Sequence, residues 1–172
     1  ATWKEAGRDA RDVLVKCLPD ALRGLPWPKS MRWATHDMRW VRPIESLIAL
    51  FDGAPVAFEF GAVTTGAETR GHRFLAGDAF TVSNFADYKT KLLDFKVMLD
   101  PVARRELIAT EAVKLAQAEG LMWKDDPGLL NEVTGLVEWP VVYMGTIDDA
   151  FMDVPAEVLI TSMKKHQKYF SC

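Results

Sequence analysis

A tight-turn dipeptide between two apolar segments constrains the fold of this chain more than any other feature. Residues 44–51 form a mostly apolar run of strand length, and Asp52-Gly53 follows it directly. Beyond the turn, Val56, Phe58 and Phe60 alternate with smaller or polar residues, which is the period of a strand with one buried face. Asp-Gly readily adopts the left-handed backbone that a two-residue hairpin turn requires. The pattern therefore predicts a β-hairpin.

Helix start and stop signals lie on both sides of this hairpin. Five helices are predicted. The first covers residues 8–23, and the second begins at Ser83. The third runs from Asp100-Pro101 to about Glu119 and stops at Gly120, the fourth runs from Asp126-Pro127 to near Gly135, and the fifth begins around Pro155. Residues 25–33 and 64–78 are predicted to be loops, and residues 137–145 an edge strand. The first helix is expected to break or kink near Pro19. Helices and strands interleaved without βαβ regularity predict an α+β fold, with a mixed or antiparallel sheet flanked by helices.

Composition limits the partners and the compartment. The chain has 172 residues, 49% of them hydrophobic, and a formal net charge of −3. Because phosphate neutralisation supplies most nucleic-acid affinity, any RNA contact must be a local patch. No apolar run reaches the roughly 20 residues that span a bilayer, so we expect a cytoplasmic protein without a membrane partner. The missing initial Met and the abrupt end at Cys172 lead us to expect a piece of a longer chain.

The sequence carries no recognisable signature of catalysis. Its three histidines, His36, His72 and His166, have no metal-ligand spacing to another histidine or cysteine. Phosphate-cradling glycine motifs and a nucleophile elbow are also missing, which disfavours a nucleotide-activating enzyme. A triad of distant residues stays open, but nothing local supports one. We therefore predict no catalytic residue, no metal ligand and no bound cofactor in this chain.

Two basic clusters are the candidate contact sites. In the first, Arg70, His72 and Arg73 flank a glycine, which would suit a phosphate or a carboxylate. The alternative is that the arginines form structural ion pairs and His72 caps a loop. The second cluster consists of Lys164, Lys165, His166, Gln167 and Lys168, followed directly by the aromatic Tyr169 and Phe170. It would suit an RNA backbone with a stacked base, or its charges could simply oppose the dipole of a helix end.

A tryptophan-rich loop is the candidate interface. Trp27, Met31, Arg32 and Trp33 have the residue types that are enriched at protein interfaces. A loop held against its own domain is an equally good interpretation.

Several phrases, taken together, resemble one family. They are Pro28-Lys-Ser-Met-Arg-Trp33, Val41-Arg-Pro-Ile44, Thr69-Arg-Gly-His-Arg-Phe74, Glu132-Val-Thr-Gly-Leu-Val-Glu-Trp-Pro140 and Val154-Pro-Ala-Glu-Val-Leu-Ile-Thr-Ser-Met-Lys-Lys-His-Gln-Lys-Tyr-Phe170. In this order they are similar to the β subunit of bacterial heterotetrameric glycyl-tRNA synthetase, over nearly the whole chain. One departure is Ser46, where the family usually has an aromatic residue.

The resemblance implies a role within a larger enzyme. That enzyme is an α2β2 assembly that uses ATP and Mg²⁺, with the catalytic site in the α subunit, and its β subunit is needed for tRNA recognition. This segment is expected to resemble the B3/B4 module of phenylalanyl-tRNA synthetase β subunits. Residues 1–30 would then be an N-terminal helix and linker, and residues 31–172 the B3/B4-like domain.

Three functional hypotheses follow from the resemblance and the residues together. The first is a non-catalytic module that contacts tRNA(Gly), the α subunit and the rest of the β subunit. The second is a pure scaffold. The third, less favoured, is a vestigial editing domain that would use Glu68, Thr69 and His72. Glycine is the smallest amino acid, so a synthetic site can exclude larger ones without editing.

Overall fold

The computed structural model describes residues 2–3 and 6–172 and divides into two compact units, one up to Phe95 and one from Lys96. Its α-helices are α1 (Ala10–Arg23), α2 (Phe85–Asp94), α3 (Pro101–Ala118), α4 (Pro127–Leu136) and α5 (Ala156–Ser162), followed by a π-helical turn at Met163–Gln167. Its strands are β1 (Leu50–Phe51), β2 (Ala54–Pro55), β3 (Glu59–Phe60), β4 (Val63–Thr64), β5 (Glu68–Arg70) and β6 (Ala79–Thr81). A 3-10 turn covers Asp149–Phe151.

The predicted hairpin turn is confirmed. Strands β1 and β2 pair antiparallel across Asp52 and Gly53, whose φ angles are 49° and 71°. Both values lie in the left-handed region that a type I′ turn requires. The chain then continues into a second antiparallel pair, β3 with β4, and a third, β5 with β6. The strands are two or three residues long, and an isolated parallel bridge joins Ile48 to Gly66.

Alternation after the turn builds the core of the first unit. Val56, Phe58 and Phe60 are buried on one face. The apolar side of α1, with Leu14 and Leu18, packs against that face. Burying a side chain of this size contributes about 1.5–3 kcal/mol to stability. The hairpin and α1 therefore stabilise each other.

Helix α1 is continuous through Pro19, which is buried, and ends at the predicted Gly24. The predicted break is therefore wrong, and the alternative of a kink near Pro19 stays a prediction. Because α1 reaches Arg23 despite the missing amide of Pro19, packing has outweighed the local cost of proline.

A buried threonine after β4 is hydrogen-bonded to the segment between β2 and β3. The Thr65 hydroxyl accepts a hydrogen bond from the Phe58 amide at 2.9 Å and donates one to the Val56 carbonyl at 2.7 Å. Thr65 is only 6% exposed. Its hydroxyl satisfies main-chain groups that would otherwise be buried without partners.

The start of α2 differs by one residue from the prediction. Asn84 is the N-cap, and its side chain accepts from the Asp87 amide at 2.9 Å. Ser83, the predicted cap, instead donates its amide to the Asp87 carboxylate. That bond, with a smaller effect of Lys91, holds the pKa of Asp87 below its usual range. Asn and Ser are nearly equal as caps, so the sequence alone could not separate the two.

Helices α3 and α4 pack together in the second unit. The predicted Asp-Pro starts are confirmed, with Asp100 and Asp126 as N-caps. The buried contact residues are Ile108, Ala112 and Ala116 on α3 and Leu129, Leu130 and Thr134 on α4. The Arg104 guanidinium donates to the carbonyls of Met98, Leu99 and Thr134. A single cation thus ties α3 to the chain before it and to α4.

The α+β class is confirmed, but the strands form short antiparallel pairs and not one larger sheet. Two predicted segments were wrong. Residues 64–78 contain strand β5, and residues 137–145 contain no strand. The predicted division at residues 30 and 31 stays a prediction. No helix in the described part of the chain is both long and apolar enough to cross a membrane.

Replacing Thr65 by valine keeps the shape of the side chain and removes the hydroxyl. We expect the free energy of unfolding to fall by about 1–3 kcal/mol, because the Phe58 amide loses its side-chain acceptor. Urea denaturation monitored by circular dichroism measures this change. Thr64→Val, at the exposed neighbouring position, is the control and should change stability by less than about 0.5 kcal/mol. Equal stability of the two variants would contradict the role of the hydroxyl.

Candidate nucleic-acid interface

The first basic cluster forms an ordered turn after strand β5. The His72 amide donates to the Phe95 carbonyl at 2.9 Å, and the Ala76 amide donates to the His72 carbonyl at 2.9 Å. The Nδ1 atom of His72 accepts from the amides of Phe74 and Leu75, both at 3.3 Å. His72 therefore caps the turn, as the structural interpretation of the sequence predicted.

Glycine at position 71 is required by close packing. A Cβ atom there would lie 2.4 Å from the Ala76 carbonyl oxygen and 2.5 Å from the Cβ of Phe95. Both distances are far shorter than a normal van der Waals contact. The turn is thus seated directly on the end of α2.

The two arginines of this cluster have different environments. Arg70 donates to the Gly77 carbonyl at 3.1 Å, across the base of the turn. The Arg73 guanidinium lies 5.9 Å from the centre of the Phe74 ring. Among the described residues, no carboxylate or carbonyl pairs with Arg73. The Arg73 charge is therefore available to a ligand, whereas Arg70 and His72 mainly hold the turn.

The second basic cluster is divided between inward and outward side chains. Lys164 pairs with Asp126, and Lys168 pairs with Glu132 at 2.8 Å. These pairs connect the end of the last helix to the start and the middle of α4. Lys165 is exposed and has no ion pair within the described part of the chain. His166 and Gln167 are also exposed.

The lowered pKa of Asp126 is consistent with its ion pair to Lys164. The ammonium of Lys164, and secondly the Leu129 amide, hold the pKa of the Asp126 carboxyl below its usual range. The same carboxylate caps α4, accepting from the Leu129 amide at 3.0 Å. Nearby, Phe170 packs edge-on against Trp123, with ring centres 5.7 Å apart. The cluster therefore has a clear part in holding the second unit together.

The tryptophan-rich loop packs on its own unit. Trp27 lies edge-on to Trp40 at 5.2 Å, and Trp40 lies edge-on to Phe60 at 5.1 Å. Met31 forms a two-way main-chain bridge with Trp40. Trp27 and Met31 still leave 40% and 41% of their surfaces exposed.

The other two residues of this loop make local contacts. Arg32 forms an ion pair with Asp37 at 3.8 Å, and Trp33 lies edge-on to His36. These contacts fit a loop held against its own domain. The interface role of the loop stays a prediction.

A surface depression of about 420 Å³ in the first unit was not anticipated from the sequence. It is lined by Ser46, Leu47, Ile48, Leu50, Thr69, Val82, Asn84, Phe85 and Tyr88. Of the three residues of the editing hypothesis, it contains Thr69 but neither Glu68 nor His72. Within the described residues, no group of three or more His, Cys, Asp or Glu side chains could hold a metal ion.

Comparison with known proteins identifies the family. The sequence model described as "Glycyl-tRNA synthetase beta subunit" matches residues 1–172, which is the whole chain. The chain belongs to this family. The identification made from the sequence phrases is confirmed.

Curated relatives agree with this assignment. A protein named glycine–tRNA ligase beta subunit from Rhodospirillum centenum is 48% identical over 99% of this chain and 27% of its own length. Proteins of the same name from Ruegeria sp. and Geobacter sulfurreducens are 50% and 47% identical over 99% of the chain, which is 26% and 25% of their lengths. The chain thus spans about a quarter of the glycyl-tRNA synthetase beta subunits that it matches.

The crowding at Gly71 predicts a large effect of a small change in this family member. Gly71→Ala should lower the free energy of unfolding by about 1–3 kcal/mol, because the new methyl group overlaps atoms fixed by the backbone. Gly145→Ala is the control, since nothing lies within 4 Å of a Cβ at that position. Thermal unfolding of the two variants measures the difference. Similar melting temperatures would show that the turn can relax away from Phe95.

The ion pair at Asp126 predicts a dependence of stability on pH. Because the folded-state pKa of Asp126 lies below the unfolded value, about 3.9, the pair stabilises the fold above that value. This contribution is lost as the pH falls through the folded-state pKa. Asp126→Asn keeps a good N-cap but has no charge to lose.

The measurement is the free energy of unfolding from pH 6 down to about pH 2, across the titration range of aspartate. The wild type should lose more stability over this range than Asp126→Asn. Asp125→Asn is the matched control, at a neighbouring exposed position, and should follow the wild type. Parallel curves for wild type and Asp126→Asn would contradict the role of the pair.

Proposed function

We propose that this chain is a non-catalytic module of a glycine–tRNA ligase β subunit, which supports aminoacylation of tRNA(Gly) by contacting the tRNA and by assembly with the rest of the enzyme. Its partners would be tRNA(Gly), the α subunit and the remainder of the β subunit, in the cytoplasm. The family match over the whole chain supports the assignment to glycine–tRNA ligase. The outward charges of Arg73 and Lys165 support the contact with RNA.

Charge is the physical reason to favour these two positions. A chain with a net charge of −3 repels RNA on average, so binding depends on cations that have no acidic neighbour. Lys164 and Lys168 already pair with carboxylates. Arg73 and Lys165 have no carboxylate partner among the described residues.

The chemistry of aminoacylation is assigned to the α subunit in this proposal. ATP and Mg²⁺ would bind there, and this segment would hold no cofactor and supply no catalytic residue. We also propose the B3/B4-like architecture for the segment. Short antiparallel strand pairs between helices are in keeping with that architecture but are not specific to it.

A scaffold role is the second candidate, and exposed apolar surface favours it. Between residues 136 and 152 the second unit exposes Leu136, Val141, Tyr143, Phe151 and Met152, by 56–84% each. Large exposed apolar groups in one stretch of chain are typical of surfaces that contact another protein. Such a surface would serve assembly without any contact with RNA.

Charge reversal at Lys165 separates the two roles. In ligase assembled from α and full-length β subunits, Lys165→Glu should raise the KM for tRNA(Gly) roughly fivefold, which corresponds to about 1 kcal/mol. The slope of log affinity against log salt should also decrease by about 1 in magnitude. Lys164 is unsuitable for this test, because reversal there would also break the pair with Asp126.

Lys89→Glu is the matched control, since Lys89 is exposed on α2 and makes no ion pair with a described residue. It should leave the KM for tRNA unchanged. Unchanged tRNA kinetics for both Lys165→Glu and Arg73→Gln would remove the RNA role and favour the scaffold.

A further inference from the structure

Phe74 presents almost its whole ring to solvent. It is 86% exposed, although it lies in the turn that His72 caps. The next residue, Leu75, is 57% exposed, so the turn carries two adjacent exposed apolar side chains, and contiguous apolar groups of this kind are typical of a surface that contacts a partner.

Hydrogen bonds hold the main chain of the turn in place at Phe74. The Phe74 amide itself donates to Nδ1 of His72, and the His72 amide donates to the Phe95 carbonyl. Phe95 stacks on the buried Phe80 with ring centres 4.4 Å apart. The main chain at Phe74 is thus connected through hydrogen bonds to the Phe95–Phe80 pair. A main chain that is ordered in advance loses less entropy when the turn binds a ligand.

The surroundings of the ring are cationic and aromatic. The Arg73 guanidinium lies 5.9 Å from the ring centre, and the His72 ring centre lies 6.3 Å away. Arg73 has no carboxylate partner among the described residues. An exposed aromatic face beside an unpaired arginine is the combination by which proteins stack an unpaired base and contact its phosphate.

We propose that Phe74 is a stacking platform for an unpaired nucleobase of RNA, with Arg73 contacting the adjacent phosphate. The inference rests on the proposed contact with tRNA and adds the residue and the type of nucleotide that it takes, one outside a double helix. RNA is favoured over a protein partner, because an unpaired base and its own phosphate can contact the ring and the guanidinium side by side.

The test compares ring chemistry at position 74 in ligase assembled from α and full-length β subunits. Phe74→Leu keeps an apolar side chain and removes the ring, so affinity for tRNA(Gly) in filter binding should fall about 5- to 50-fold. Phe74→Trp restores a ring and should bind at least as tightly as wild type. Melting curves of both variants should match the wild type, since the side chain is exposed.

Phe51→Leu is the matched control. Its ring also has an arginine, Arg11, at 5.9 Å, and it is 41% exposed in the same unit. It should bind tRNA as the wild type does. A loss of affinity equal to that of Phe74→Leu would overturn the assignment to the turn.

The remaining outcomes separate stacking from the broader proposal. If Phe74→Leu binds as tightly as Phe74→Trp while Arg73→Gln and Lys165→Glu bind more weakly, stacking is wrong and tRNA contact stands. If none of these variants loses affinity, both proposals fail. If Phe74→Leu weakens association with the α subunit in sedimentation but leaves tRNA affinity intact, the ring contacts protein and the inference is overturned.

Discussion

Burial of one strand face holds the first unit together. Val56, Phe58 and Phe60 lie on that face, and helix α1 and Trp40 close over it. The strands are too short for their own ladders to be stable, so packing has to supply the stability that hydrogen bonds do not. Thr65 completes the arrangement by satisfying main-chain groups on the buried side. The basic turn after β5 is held by a different contact, with Phe95 at the end of α2.

Ion pairs and helix packing stabilise the second unit. Small alanines let α3 approach α4, and Arg104 satisfies carbonyls that would otherwise be unpaired near their contact. Lys164 and Lys168 then attach the last helix to α4. Both pairs are partly exposed, so each contributes modestly and is screened by salt. One short basic sequence thus combines structural lysines with an outward-facing Lys165.

Helix starts, helix ends and the hairpin turn could be predicted from the sequence, but contacts between distant segments could not. Asp-Pro starts predicted the beginnings of α3 and α4, and Gly120 predicted the end of α3, because the relevant hydrogen bonds form within one turn of helix. Residues 137–145 failed as a strand because β-forming residues need a neighbouring strand, and none pairs with them here. The ion pair between Lys164 and Asp126 joins two helices that are distant in sequence. The spacing of lysines along the sequence therefore could not predict which of them face inward. Phe74 was visible in its motif, but only the fold shows that its ring is exposed.

The close packing around Gly71 also limits which residues relatives can have at this position of the turn. A side chain at this position would meet the carbonyl oxygens of Ala76 and Phe95 as well as the Phe95 Cβ. These atoms belong to, or are fixed by, the main chain, so no exchange of a neighbouring side chain removes all three obstacles. Replacement of Gly71 by any larger residue therefore requires the backbone to move. Variation of this turn would have to proceed through its exposed positions, with the glycine left in place.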